Sequence, residues 1–199
     1  MLANTKINSG GDLIIFAFNH NNISSISSGD VGEVNRLIST CATSRDSLEQ
    51  LYVMFKSTVF AVAYGITADY HLSEDCVAET FVRLAQVKNF NPQKGDGRGF
   101  ILTTARNVAS ELRRRYKKEI NSYIIQSYGD AEKTVEDSIY INQLLKHLND
   151  KQRQIVIMKC CAEMTFKEIA RVLKCPETTV KSRYKRAMDI LQEKAGADK

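Results

Sequence analysis

The chain has 199 residues, 43% hydrophobic and 26% charged, which is ordinary for a globular protein of one larger domain or two small ones. No apolar run approaches the roughly 18 residues of a membrane span, and Leu13–Phe18 lacks the flanks of a signal peptide, so no membrane segment is expected and the cytoplasm is the expected compartment. Five scattered cysteines without a C-x-x-C pair argue against a disulfide framework and a zinc site, and for free thiols.

The net charge of +5 is unevenly spread. Residues 88–118 carry nine basic side chains against two acidic ones, and residues 144–199 carry thirteen against seven. Acidic blocks precede each: two basic against six acidic over 46–87, and one against five over 119–143. Two separated basic blocks point to two contacts with a polyanion.

In chain order, residues 1–45 show the least pattern. Asn, Ser and Gly cluster over Asn19–Gly32, so this segment is expected to be a flexible arm. From Ser47 the spacing of Leu48, Leu51, Tyr52, Phe55, Val59, Val62 and Ala63 predicts a helix with one apolar face. Gly65–Leu72 reads as a connection, and Ser73 as the N-cap of a second helix carrying Val77, Phe81 and Leu84. A loop over Asn89–Gly97 follows. The next helix, from about Phe100, has an apolar stripe of Ile101, Ala105, Val108 and Leu112 and a basic outer face. Residues 119–143 read as an acidic linker with some apolar side chains, and a second helical unit occupies 144–195.

That second unit holds the sharpest local signal. Thr165 and Glu168 match a capping box; a short helix with Ile169, Ala170 and Leu173 follows; Lys174-Cys175-Pro176 makes a turn; a second helix runs from Glu177 to about Glu193. Ala170 is the small residue at the helix crossing. Val180, Tyr184, Ala187 and Leu191 form the buried stripe of the second helix, while Thr178, Ser182 and Lys185, flanked by Lys181 and Arg186, face the other way. Such a helix-turn-helix suits a DNA major groove, where short polar groups read base edges and cations hold phosphates.

Read together, the two halves resemble a known family. Leu148–Val156, Met164–Ala170 and Thr179–Arg183 resemble region 4 of sigma-70 transcription-initiation factors. Ser73–Leu84 looks like region 2.2, and Gly99–Ala109 with the following arginines looks like regions 2.3 and 2.4. Their order and the short linker resemble the extracytoplasmic-function (ECF) group. The resemblance departs from the family pattern at Ala78, Phe100, Asn149, Lys174 and Thr178, and does not reach residues 1–45.

The resemblance implies an all-α fold of two small helical domains, 46–118 and 144–195, joined by the linker. It implies a sigma factor that directs RNA polymerase core to promoter DNA, without enzymatic activity and without a cofactor or metal, and in many relatives held by an anti-sigma factor. Asp75 and Glu79 would bind core polymerase. Phe90 and Asn91 would capture a flipped base of the minus-ten element, with Arg106, Asn107, Arg113, Arg114 and Lys117 on the strands. Thr178, Thr179, Lys181, Ser182 and Lys185 would read the minus-thirty-five element, with Arg183 and Arg186 on phosphates.

The alternative is a helix-turn-helix regulator that does not bind core polymerase. It accounts for the second half but not for the acidic helix, loop and basic helix ahead of it. An enzyme is disfavoured, because His20, His71 and His147 have no metal-site spacing and Gly95–Gly99 lacks the strand-turn-helix context of a nucleotide fingerprint.

Overall fold

The computed structural model describes residues 31–88, 90–94, 96–122 and 144–197. Every regular element among them is helical: α1 (Val31–Thr40), α2 (Arg45–Thr67), α3 (Tyr70–Ala85), a 3-10 turn (Pro92–Lys94), α4 (Gly97–Ser122), α5 (Asp150–Cys160), α6 (Phe166–Leu173) and α7 (Glu177–Ala197).

Helix α2 is capped by Ser44, whose side chain accepts from the Ser47 N–H. Leu51, Phe55, Val59, Val62 and Ala63 are buried, as their spacing predicts. Tyr52 is the exception at 43% exposure. Its ring sits edge-on to Phe81, with Lys56 above it, at the rim of the bundle. The helix also runs through the expected connection, to Thr67. Ala68 ends it in the left-handed conformation, its N–H donating to the Tyr64 carbonyl, and Asp69 caps α3 by accepting from the Leu72 N–H at 2.8 Å. The turn is therefore two residues long. Ser73, expected as the cap, lies buried in the first turn of α3. Its hydroxyl donates to the Asp69 carbonyl and lies 2.9 Å from the Thr67 hydroxyl. A carboxylate one turn earlier took the capping role, which frees Ser73 to fasten the α2–α3 corner.

The expectation of a flexible arm over 1–45 is corrected for its last part; residues 1–30 lie outside the described residues. Val34, Leu37, Ile38 and Cys41 follow helical spacing and are buried where α1 packs on α2 and α4. Asn35 Oδ1 accepts from the Gly97 N–H at 2.6 Å, which satisfies a donor at the start of α4. A Cβ at Gly97 would sit 2.6 Å from the Ile38 Cδ1, so any larger residue there would force side chains of α1 to shift. Helix α4 buries Leu102 and Ala109 as well as Ile101, Ala105 and Val108, since α1, α2 and α3 all pack on it. Leu112 is half-buried, and the helix continues to Ser122, past the expected start of the linker. Residues 123–143, including Tyr123, Ile124, Ile125 and Tyr128, lie outside the described residues.

In the second unit both capping boxes form. Asn149 Oδ1 accepts from the Gln152 N–H, and Gln152 reaches back to the Asn149 N–H. Thr165 and Glu168 do the same for α6. Val180, Ala187 and Leu191 are buried, while Tyr184 is half-buried against Phe166. Val172 takes the deep position at the end of α6, leaving Leu173 and Cys175 half-buried. The two units share one continuous apolar core, because α2 packs on α5 and α6 lies against α4. At Gly65 the backbones come close: a Cβ there would already touch Gln154 and Ile157 of α5.

Candidate nucleic-acid interface

Asp75 and Ala78 are exposed on the outer face of α3, with Glu79 half-buried beside them. Glu79 is already engaged. Its Oε1 accepts from Arg83 Nε at 2.7 Å, and Arg83 Nη2 also donates to Glu111 of α4 at 2.9 Å. Hydrogen bonds from Arg83 and then Arg115 hold the Glu111 carboxyl down at about 2. The acidic face of α3 is thus tied to α4 through one arginine.

After α3 the chain turns through Phe90 and Asn91. Asn91 Oδ1 accepts from the Gln93 N–H and so shapes the 3-10 turn. Phe90 meets Phe100, the first aromatic of α4, edge-to-face at a centroid distance of 5.4 Å. Phe100 remains partly exposed. The pair forms a small aromatic shelf beside the start of α4, with a π-face on which a base can stack.

On α4, the helical period brings Arg106, Ser110, Arg113, Arg114 and Lys117 into one cleft of about 370 Å³. Asn107 is exposed beside it and accepts from Arg106 Nη1. The opposite wall is Ile66 of α2 and Asp150 and Gln154 of α5. Asp150 takes two arginines, Arg113 across the cleft and Arg153 on its own helix at 2.7 Å. The hydrogen bond from Arg113 outweighs burial and holds the Asp150 carboxyl below the usual carboxylate range.

On α7, Thr178, Lys181, Ser182, Lys185 and Arg186 are exposed, while Thr179 and Arg183 are half-buried. The Ser182 hydroxyl donates to the Thr179 carbonyl, and Lys181 pairs with Glu177 at 2.7 Å. Lys185 and Arg186 project from the same helix. The turn before α7 is made by Lys174 in the left-handed conformation, φ 53°, with its N–H on the Ala170 and Arg171 carbonyls.

The seam between the two units was not legible from sequence. Arg98 Nε donates to Glu168 Oε1 at 3.0 Å, and Arg98 Nη2 donates to the Ala162 carbonyl. Asp96 Oδ2 accepts from Arg171 Nη1 at 2.8 Å, and its Oδ1 accepts from the Gly99 N–H. Burial pushes the Asp96 carboxyl up, but the Gly99 N–H and the Arg171 guanidinium together hold it below its ordinary value. These pairings join residues some seventy positions apart, and no periodicity within one segment announces them. Among the described residues no helix is long and apolar enough to cross a membrane.

Fold and charge together define a two-unit helical nucleic-acid-binding protein whose second unit is a helix-turn-helix. Comparison with known proteins makes the class specific. Residues 51–119 match the family Sigma-70 region 2, and residues 138–191 match Sigma-70, region 4. The chain is 24% identical over 153 residues to the ECF RNA polymerase sigma factor SigM of Bacillus subtilis, covering 73% of this chain and 93% of SigM. It is 25% identical over 156 residues to the ECF sigma factor BldN of Streptomyces coelicolor, covering 73% of this chain and 59% of BldN. The fold is similar to that of the sigma factor RpoE from Bartonella quintana, solved in complex with the anti-sigma factor NepR, with a TM-score of 0.62, 22% identity, and coverage of 78% of this chain and all of that one. The chain belongs to the sigma-70 family, as an ECF sigma factor that directs RNA polymerase to promoters. The reading as a plain helix-turn-helix regulator is not favoured, since region 2 is matched as well as region 4.

Proposed function

We propose that promoter recognition is divided between the two helical units, with their boundaries near 46–118 and 144–195. Region 2 docks on core polymerase through Asp75 and Glu79 and holds the minus-ten strands. In this reading Phe90 and Asn91 receive an unstacked base, and Arg106, Asn107, Arg113, Arg114 and Lys117 hold its backbone. Region 4 reads the minus-thirty-five duplex with Thr178, Thr179, Lys181, Ser182 and Lys185, while Arg183 and Arg186 contact phosphates. The observation that supports the reading is the gathering of Arg106, Arg113, Arg114 and Lys117 in one cleft on α4, the helix whose first turn carries Phe100 of the Phe90–Phe100 pair. One helix would then carry the base-stacking group at its start and the phosphate-holding groups along its length.

The chain works by position and does no chemistry of its own; the polymerase makes the bonds. It acts in the cytoplasm, where core polymerase and promoter DNA are. An anti-sigma factor is a further partner, supported by the RpoE–NepR complex, whose sigma factor shares this fold.

In-vitro transcription with purified core polymerase, on fragments of the DNA upstream of this protein's own gene, tests the reading. Discrete transcripts that depend on the protein, and that are lost when Arg114 and Lys117 are changed to Ala, support it. Transcripts unaffected by those changes would remove α4 from the strand-holding role.

A further inference from the structure

Helix α1 lies ahead of the residues matched to region 2, which begin at 51, yet it is tied to both ends of the segment proposed to capture a base. That segment, 86–96, runs from the end of α3 to the start of α4 and carries Phe90 and Asn91. At its near end the buried Cys41 thiol, just past α1, lies 3.1 Å from two carbonyl oxygens, that of Leu84 in the last turn of α3 and that of Ile38 in its own helix. Burial pushes the thiol's pKa up, so its proton stays in place to be shared between them. The Leu84 carbonyl also accepts from the Val87 N–H at 3.1 Å, where the chain turns out of α3. At the far end Asn35 Oδ1 takes the Gly97 N–H at 2.6 Å, the first donor of α4. Asn35 and Cys41 are six residues apart, about 9 Å at the helical rise. Helix α1 therefore fixes the span between the points where the segment leaves α3 and enters α4.

The far end has no slack. A Cβ on Gly97 would lie within 3.0 Å of Val34, Asn35 and Ile38, so the backbone of α4 rests directly on α1. One turn on, Phe100 meets Phe90 edge-to-face at 5.4 Å. The pose of the first turn of α4 thus sets where Phe100, and through it Phe90, presents its ring. A binding constellation works only when it is held to within about 0.5 Å of its productive geometry. A loop fastened only through its own chain does not supply that, and a brace across both ends does.

We propose that α1 is the positioning brace of the base-capture segment: Asn35 and Cys41 hold its two ends at a fixed span, set the pose of Phe90, and so set the preference for an extruded base without touching the DNA. The proposal rests on the assignment of Phe90 and Asn91 to base capture.

The test uses the full chain and short single strands of abasic backbone that carry one central base or none, read by fluorescence anisotropy. The strand without a base reports phosphate-holding alone, and the ratio of the two affinities reports base capture. For the best of the four bases, wild type is expected to show a ratio of about ten, the size of one base stacking on an aromatic side chain. Phe90→Ala is expected to bring the ratio close to one. Asn35→Leu keeps both aromatic rings and removes the acceptor for Gly97. It is expected to cut the ratio about three- to fivefold, most of that stacking, with the affinity for the baseless strand and the helical circular dichroism unchanged. Asn35→Asp keeps an acceptor in the same place and should retain the wild-type ratio. Cys41→Ala frees the near end alone and should cut the ratio about twofold.

If Asn35→Leu and Cys41→Ala are folded and keep the wild-type ratio, the brace is overturned. Should Asn35→Leu fail to fold, Cys41→Ala decides alone. An equal loss of affinity for the strand with no base would also overturn the brace, because a general loosening of region 2 moves both affinities together. If wild type shows no base preference, or Phe90→Ala keeps it, the base-capture assignment has failed and the proposal falls with it. A preference lost in Phe90→Ala but kept in both α1 variants is the failure of the brace alone.

Discussion

Arg98 and Glu168 meet at 3.0 Å across the seam, and the carboxylate that Arg98 engages is the one that caps α6. Oε1 takes the guanidinium of region 2, while Oε2 takes the Thr165 N–H and hydroxyl. One side chain serves both the integrity of the helix-turn-helix and its docking. Glu168→Gln keeps an oxygen for the Thr165 N–H and removes the charge. A double-mutant cycle with Arg98→Gln in chemical denaturation should therefore give a coupling of about 0.5–1 kcal/mol, since both groups are only 19% and 24% exposed. Glu168→Ala should cost about 1 kcal/mol more by removing the cap as well.

Lys174 adopts a left-handed conformation that costs a residue with a Cβ about 1 kcal/mol. Lys174→Gly is expected to raise the unfolding free energy of the helix-turn-helix by a similar amount, read as a higher denaturation midpoint, with promoter choice unchanged in transcription assays. A lower midpoint would show that the lysine side chain makes a compensating contact.

Gly97→Ala should lower stability by about 1–3 kcal/mol, because the new methyl group collides with Ile38 in a fully buried position. Ile38→Val removes the colliding Cδ1, so the double variant should recover part of the loss in thermal unfolding. The comparison also measures how firmly α1 is seated on α4.

Acid should loosen the α3–α4 brace. Arg83 and Arg115 hold Glu111 at about 2, below its ordinary 4.5, so its charge favours the fold above about 4.5. That contribution fades as pH falls toward 2. Melting temperatures of wild type should drop more steeply over this window than those of Glu111→Gln. Parallel curves would show that the pairs contribute nothing to stability.

On the proposed reading face, Lys185→Ala and Arg186→Ala should each flatten the salt dependence of binding to a minus-thirty-five duplex by about 0.9 in the slope of log K against log salt. Ser182→Ala should change base preference and leave the slope alone.

The helix-turn-helix was legible because its determinants are local. A capping box, a turn and a stripe of Val180, Tyr184, Ala187 and Leu191 all lie within one short stretch. The basic face of α4 followed from helical period alone. Helix α1 was missed because the polar run before it masked Val34, Leu37 and Ile38. The start of α3 was misplaced by four residues because Asp69 and Ser73 are both good caps, and only the buried Thr67–Ser73 hydrogen bond decides between them. The seam escaped because ion pairs between distant segments leave no periodic trace in a single sequence.

The burial of the thiols has a practical consequence. Cys41, Cys76, Cys160 and Cys161 are buried, and burial pushes Cys76 up to about 11 and Cys161 well above the ordinary thiol. Alkylating reagents attack the thiolate, so these sites are slow to react at neutral pH. Cys175 is partly open, at the corner between α6 and α7. A maleimide dye added to the native chain will concentrate there, beside Pro176 and Thr178. The protein thus carries its own single labelling handle at the tip proposed to meet the double helix.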